Sequence, residues 1–403
     1  RTKRLLRFFE AHPEVMFCAL SGTMTSKSLR DFSHLSRLAL GEGSPLPIEP
    51  YHLEGWCQAI DVEGQPDHSH WMMVSPLWQW WQSRNKHNTS LLLSLPYRTR
   101  REKIRDAFRE RLLSAPGVVA TDDTSVGCSL VLTTLCPAVP EAITEALEHL
   151  SHEGEDPSGE ILEDDVAMWR ARRYLSQGFY YIWDWAGEPD IVWLQARRRW
   201  GRYVRAELAN RSAEGYDSPL LVWNRTAAGY KAGQRGGIYR AFAEWRDQKQ
   251  KKAPPTLAIW IDDFLIRAAV KWAQAQKTPV ILWYDTKAVG DALSRFMPVF
   301  GAGAAVPKSP VTCAMSIAAH GVGKNLQAWK NQLVISPPSS GKTWEQLLGR
   351  LHRLGQTADE VGCSIFCHTE IMQKAVDSAI EQATYIEQSS ANRQRLLYAT
   401  WQK

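Results

Sequence analysis

Residues Thr343–Gln356 read T-W-E-Q-L-L-G-R-L-H-R-L-G-Q, and helical spacing sorts them into two stripes. Trp344, Leu347, Leu348, Leu351 and Leu354 form an apolar stripe of the kind that faces a core. Gln346, Arg350 and Arg353 fall at i, i+4 and i+7 and form a second stripe beside it. Two guanidiniums and an amide on one rigid face suit a cluster of anionic oxygens such as a triphosphate, and Gly349 permits close approach. The plainer alternative is a solvated basic face on an ordinary amphipathic helix.

Working outward, short apolar runs alternate with helical patterns on either side. Pro279–Tyr284 (P-V-I-L-W-Y) reads as a buried strand ending in Asp285-Thr286, and Val311–Ser316 reads as another. The second runs into A-A-H-G-V-G-K-N-L-Q at 318–327, where Gly321 and Gly323 let backbone approach a phosphate and Asn325 follows. Gln332–Ser336 is a strand leading into P-P-S-S-G-K-T at 337–343. That ending invites a P-loop, but Ser336 stands where the first glycine belongs and two prolines remove backbone donors. Glu360–His368 alternates as a strand, Ile371–Ser389 as a helix, and Gln394–Gln402 reads as a further helix. Near the start, Val15–Leu20 (V-M-F-C-A-L) has the continuous apolar character of a buried parallel strand. Ser21-Gly22-Thr23 follows at its carboxyl end, where α/β sheets place ligand sites. A capped strand-to-helix turn would read the same.

In this order the motifs resemble those of superfamily 2 helicases, in the form used by Swi/Snf-type DNA translocases. Q-x-x-G-R-x-H-R-x-G-Q is similar to their last motif, G-x-G-x-N-L to their fifth, and A-L-S-G-T to their third. The pattern is most similar to compact phage-encoded members. The resemblance implies that Arg350 and Arg353 reach across a cleft to ATP phosphates held by a different lobe. It implies that Gly321, Gly323, Asn325 and Gln346 shape the nucleotide side of that cleft. Ser21, Thr23 and Ser316 would couple it to a duplex DNA track. The P-loop lysine and the D-E-x-H carboxylates belong ahead of Ser21 in that family, and neither is present. Asp262-Asp263, which follows the run Leu257–Ile261, comes too late to be the Mg²⁺-holding pair. ATP and Mg²⁺ are therefore expected to sit mainly on an upstream RecA-like lobe, and this chain alone is expected to hydrolyse ATP negligibly; the alternative is a non-catalytic DNA- or partner-binding protein that keeps a helicase lobe as a scaffold.

The expected fold class is α/β, a RecA-like parallel sheet lobe with the remnant of a first RecA-like lobe and a largely helical insertion. The expected divisions are 1–50 for the end of the first lobe, 51–255 for the insertion and linker, and 256–403 for the second lobe. Within the insertion, Arg98–Leu113 is the densest positive segment, which makes Arg98, Arg101 and Arg105 candidates for phosphate-backbone contacts. A helix with Glu/Arg pairing is the alternative. Arg197-Arg198-Arg199-Trp200, with Arg202, Tyr203 and Arg205, is a second basic cluster. Its aromatics either stack on bases or pack in a core. Asp67-His68-Ser69-His70 lacks a second ligand pair at usable spacing and reads as a surface loop, not a metal site.

Composition sets the outer bounds. With 44% hydrophobic and 23% charged residues the 403-residue chain has the composition of a globular protein, not a disordered one. A net charge of +5 permits a nucleic-acid partner without requiring one. Seven cysteines without paired spacing indicate free thiols in a reducing compartment. No apolar run reaches the length of a membrane span, so the expectation is a cytoplasmic protein, in the host cytoplasm if phage-encoded.

Overall fold

A computed structural model describes residues 2–20, 25–85, 91–119, 126–159, 162, 165–209, 218–251, 253–390 and 392–402. In chain order the first half holds α1 (Thr2–Ala11), α2 (Arg30–Leu40), α3 (Pro50–Ile60), α4 (His68–Met73), α5 (Ser75–Arg84), α6 (Tyr97–Ser114), β1 (Ser129–Leu135), α7 (Glu141–Glu153), α8 (Asp165–Ser176) and β2 (Phe179–Trp183). Next come α9 (Ile191–Ala209), α10 (Pro219–Lys231), α11 (Gly237–Gln248), β3 (Thr256–Trp260), α12 (Phe264–Gln274), β4 (Val280–Tyr284), α13 (Lys287–Leu293) and β5 (Val299–Phe300). The chain continues through β6 (Cys313–Ser316), α14 (Ile317–His320), β7 (Asn331–Val334), α15 (Gly341–Leu348), β8 (Glu360–Phe366), α16 (Glu370–Ser390), α17 (Arg395–Tyr398) and β9 (Thr400–Gln402).

These elements form two compact units, one of residues 1–18 and 181–257, the other of residues 19–180 and 258–403. The larger unit is built on a seven-stranded sheet in the order β5-β6-β4-β7-β8-β1-β9, with its pairs parallel. The α/β class expected from the motifs is therefore what the chain adopts. All five residues of β4 are buried, as a central parallel strand covered on both faces requires. Leu282 lies level with Ala314 of β6 and Leu333 of β7. Trp283, Met315, Val334, Trp344, Leu348 and Ile365 are among the residues that fill one continuous core against this sheet.

A second core lies in the same unit, among α2 to α6. Phe32, Trp56, Trp71, Trp78 and Phe108 pack together there, joined by Tyr385 and Ile386 of α16. Further toward its amino end the same helix gives Val376, Ala379 and Ala383 to the sheet core. A single helix thus serves both layers, and this is the physical reason that residues 25–119 belong with the sheet.

Several expectations change accordingly. The divisions at 50 and 255 do not describe the larger unit, because β1 comes from within the supposed insertion. It is seated between β8 and β9, with Leu132 level with Cys363 and Trp401. Val15–Leu20 is not a strand. None of the described strands pairs with it, and Met16 and Leu20 are 96% and 92% exposed. The run at 256–260 forms β3, which pairs with β2 in a separate two-stranded sheet. Asp67–His70 is not a loop. Asp67 caps α4, accepting from the His70 amide at 3.1 Å, while its own amide donates to His70 Nδ1. Gln394–Gln402 is not one helix but α17 followed by the edge strand β9.

The smaller unit is helical. Trp200, Val204, Val222, Ala241 and Phe242 make a compact core between α9, α10 and α11. Trp193 meets Trp183, Trp185 and Trp245 edge-on at 5.6–5.7 Å, the geometry aromatic quadrupoles favour. No helix among the described residues is long and apolar enough to cross a membrane.

Candidate functional site

The α15 helix starts where Ser340 Oγ accepts from the Thr343 amide, and Trp344, Leu347 and Leu348 are fully buried on its inner face. It ends at Leu348, earlier than the stripes of Thr343–Gln356 predict. Beyond Gly349 the hydrogen bonds tighten, Arg350 N–H to Leu347 O at 3.1 Å and Leu351 N–H to Leu348 O at 3.3 Å. The chain then turns out of the helix altogether. Leu351 stays buried, but Leu354 is 63% exposed and belongs to no core stripe. Gln346, Arg350 and Arg353 therefore do not share a helix face. The cause lies partly in Gly349, a weak helix former, and partly in a competitor for its carbonyls. Arg395 donates from Nε to the His352 carbonyl at 3.1 Å and forms an ion pair with Glu345. Its guanidinium lies 3.4 Å from the place a Cβ on residue 349 would take.

What the turn loses in helical bonds it regains from the loop that precedes β7. Arg350 donates from Nε to Gln346 O at 2.8 Å and from a terminal nitrogen to Lys324 O at 3.0 Å. In return its carbonyl accepts from the Leu326 amide at 3.2 Å. Gln327 Nε2 donates to Leu354 O, and Asn325 Nδ2 donates to Gln327 Oε1 at 2.9 Å. Gln356 closes the junction: its Nε2 faces the carbonyls of Gln327, Trp329 and Leu351 at 3.1–3.2 Å, while its Oε1 accepts two amides. The G-x-G-x-N-L-Q segment and the R-L-H-R-L-G-Q segment are thus one stitched rim, at the amino ends of β7 and β8. Gly321 closes α14 with its amide on Ile317 O at 2.9 Å. Gly323 has φ +74° and nothing within 4 Å of its missing Cβ, so it presents bare backbone that an L side chain would strain.

The rim is cationic. The Arg350 guanidinium is pushed down from its ordinary pKa, first by burial and then by the like charges of Arg353 and Arg395. The carboxylate of Glu345 is bound to Arg395. Arg353 makes no side-chain hydrogen bond or ion pair among the described residues, so its charge is not spent internally. Burial also holds His352 below the usual imidazole range, and its Nε2 donates to Cys128 O at 3.0 Å.

The opposite rim is arranged differently. In open α/β sheets, ligands take the crevice outside the carboxyl ends of the strands where strand order reverses. Here that place, at the ends of β4 and β7, is filled by Arg173 of α8, which is 5% exposed. Arg173 donates to Pro337 O at 2.8 Å, to Asp285 at 3.0 Å and to Ser336 Oγ. Ser316 lies on this rim, at the end of β6 and level with Tyr284. Ser21 and Thr23 lie outside the described residues.

The basic helix α6 turns most of its arginines inward. Arg105 donates from Nε to Ile60 O at 2.8 Å and to Gln388 at 2.9 Å, and stacks on Tyr385 at 5.1 Å. Arg101 donates to the carbonyls of Ala59 and Gly64. Arg100 caps Leu93 O and Leu95 O, and Arg111 lies over Trp56. Of the three candidate phosphate contacts only Arg98 is exposed. The guanidiniums complete the carbonyls at the end of α3 and of the 92–94 turn, which a charge count cannot reveal.

Sequence reasoning passed over Arg395 and Arg173. Arg395 sits 45 positions beyond Arg350, in the stretch Gln394–Gln402, and Arg173 stands beside Arg170 and Arg172 with nothing in the spacing to single it out. The glutamines that close both motif segments were the available signal for the stitched rim. No family model matches the chain, and no curated protein matches it. Among solved structures it is similar to the crystal structure of the C-terminal part of the Fun30 ATPase domain. That similarity is at 13% identity and a TM-score of 0.34, covering 64% of this chain and 97% of the other.

Proposed function

We propose that this chain supplies the second RecA-like lobe of an ATP-driven DNA translocase of the Swi/Snf type. The reading rests on one observation: the two segments that resemble the family's fifth and last motifs are hydrogen-bonded into a single cationic rim. Convergence of Gly323, Asn325, Arg350 and Arg353 on one edge is what a shared polyphosphate contact needs, and sequence spacing does not require it.

The two arginines divide the work. Arg353, with no internal partner among the described residues, is the finger that meets the nucleotide. Arg350, tied to Gln346 and Lys324, holds the turn from which Arg353 projects. Bound ATP, with the Mg²⁺ that accompanies it on the upstream lobe, supplies the transferable phosphoryl group. A guanidinium aimed at its equatorial oxygens offsets the charge that spreads there in the transition state, worth roughly 10³–10⁵ in rate. The bare backbone at Gly323 and the amide of Asn325 line the approach. The segment 316–327 then joins Ser316, on the carboxyl rim, to the arginine turn on the amino rim, so a shift on one side is felt on the other. Duplex DNA is the partner in this reading, and strand stepping follows cleft closure.

The test is DNA-stimulated ATP hydrolysis by this chain together with the upstream lobe, comparing the natural sequence with Arg353→Ala and Arg350→Ala. Arg353→Ala is expected to lower kcat by at least about 10³ with little change in KM. Arg350→Ala is expected to lower kcat and thermal stability together. Equal hydrolysis by wild type and Arg353→Ala would remove the finger assignment.

A further inference from the structure

We infer that Cys136 and Cys367 form an oxidisable thiol pair, which hydrogen peroxide closes into a reversible disulfide between β1 and β8. Both residues lie in the larger unit, and the pair does not depend on the translocase reading.

The sheet brings the two residues together. β1 and β8 run parallel and in register from Ser129 and Glu360 to Leu135 and Phe366, so the next residues along are Cys136 and Cys367. The Cys367 amide donates to Leu135 O at 2.9 Å, which carries the ladder past the last register pair. Leu132 and Cys363 stand level, and both join the sheet core. Four positions further along each strand the side chains leave by the same face, and Cys367 joins that core too. Neighbouring strands are about 4.8 Å apart. A disulfide accepts Cα separations of roughly 4.4–6.8 Å, so one strand spacing is within its reach. Cys136 already leans across, its Sγ donating to Cys367 O at 3.3 Å. β1 ends at Leu135, and Pro137 has no amide with which to continue a ladder beyond the cysteine. No other two cysteines stand level on neighbouring strands among the described residues.

The two thiols differ in exposure, and that difference divides the chemistry. Cys136 is exposed, whereas Cys367 is 8% exposed. Burial, and then the neighbouring Cys136 and Asp377, push the Cys367 thiol up to about 12. Cys136 is thus the group that an oxidant in solvent meets, and it reacts as the thiolate. Its sulfur attacks one peroxide oxygen, the O–O bond breaks, and the hydroxide that leaves is protonated to water. The product is a sulfenic acid on Cys136. The Cys367 sulfur then attacks the Cys136 sulfur. The S–S bond forms, the S–O bond breaks, and the departing hydroxide takes the Cys367 proton to give a second water. Two electrons pass from the thiol pair to one hydrogen peroxide. The cross-link joins positions 231 residues apart, at the end of β8 where His368 and Thr369 go on to bond Ser176 of α8 at 2.6 and 3.0 Å.

The test treats the folded full chain with hydrogen peroxide, blocks remaining thiols with N-ethylmaleimide and maps the peptides by mass without reductant. The expected product is a peptide pair joined through Cys136 and Cys367, two hydrogens lighter than its separate halves and released by dithiothreitol. Cys367→Ser removes the resolving thiol, so Cys136 should accumulate as a sulfenic acid that dimedone traps, an adduct that wild type does not build up. Should that buried substitution prevent folding, Cys136→Ser at the exposed position decides instead. It should abolish the cross-link and leave Cys367 reduced under the same peroxide. Cys136 that stays reduced in wild type, or that runs on to sulfinic acid without a cross-link, overturns the pair. So does a disulfide from Cys136 to any other cysteine or to a second copy of the chain. A Cys136–Cys367 disulfide that forms equally well in urea overturns the part assigned to strand register. None of these measurements involves nucleotide or DNA, so their failure leaves the proposed translocase untouched, and failure of the Arg353→Ala test leaves the thiol pair standing.

Discussion

Arg105 carries its charge inward, and its partners say what removing it would cost. Its guanidinium satisfies the Ile60 carbonyl at the end of α3, bonds Gln388 and covers the Tyr385 ring. Tyr385 in turn donates to Asp61 at 3.1 Å, and Asp61 also accepts from Ser28 Oγ and the Leu29 amide. Arg105→Ala would leave a carbonyl and an amide without a partner beneath that network. The expected loss is about 2–4 kcal/mol of unfolding free energy, read from urea denaturation. Arg98→Ala should leave the denaturation midpoint where it is, since that side chain is exposed. At this scale the sequence is least informative. Arg98, Arg101 and Arg105 look alike in a list, and only the carbonyls brought to them by α3 separate an inner cation from an outer one.

Elements were more legible than residues, for reasons that differ strand by strand. Five apolar residues in a row announce β4, because both of its faces are covered. The run Gly127–Leu135 also has a β-like apolar pattern, but the seat of β1 beside β8 depends on pairing across more than two hundred residues, which no local pattern encodes. The α15 helix shows the converse. Leu354 continues the apolar period and so lengthens the predicted helix, yet Arg395 captures the carbonyl of His352 and the turn opens. The glycine-rich and arginine segments were legible as motifs, and their union into one rim was not, because it is made by Gln327 and Gln356 reaching main chain. Two histidines that tie elements together give a pH test. Burial depresses the pKa of both His352 and His368, and His368 Nε2 donates to Ser176 O at 2.6 Å. The folded state therefore prefers them neutral, while the unfolded chain takes up protons near pH 6.5. Stability present above that value is lost as pH falls below it. The urea midpoint should be lower at about pH 5.5 than at about pH 7.5. His368→Gln, which keeps a donor but cannot titrate, should shrink the difference.

At the scale of the whole molecule the chain divides its tasks between two units of opposite character. The larger holds the parallel sheet and the arginine rim, and the smaller carries a net positive charge. The larger unit gives up the chain at Tyr180 and receives it again at Ala258, and these two points are neighbours. Phe179 lies against Trp260 at 4.9 Å, and Gly178 O accepts from the amides of Ile261 and Asp262 at 2.8 and 3.1 Å. Replacing 181–257 by a two-residue Asn-Gly turn should therefore leave the larger unit folded, with a single cooperative thermal transition by circular dichroism. Aggregation or a broad, non-cooperative melt would show that the larger unit needs the excursion. The adjacency of those two points has an evolutionary side. A segment whose two ends leave from one spot can be swapped, lengthened or lost as a cassette, while the parallel sheet keeps its register. Relatives of this chain are therefore expected to differ most in what they carry between positions 180 and 258.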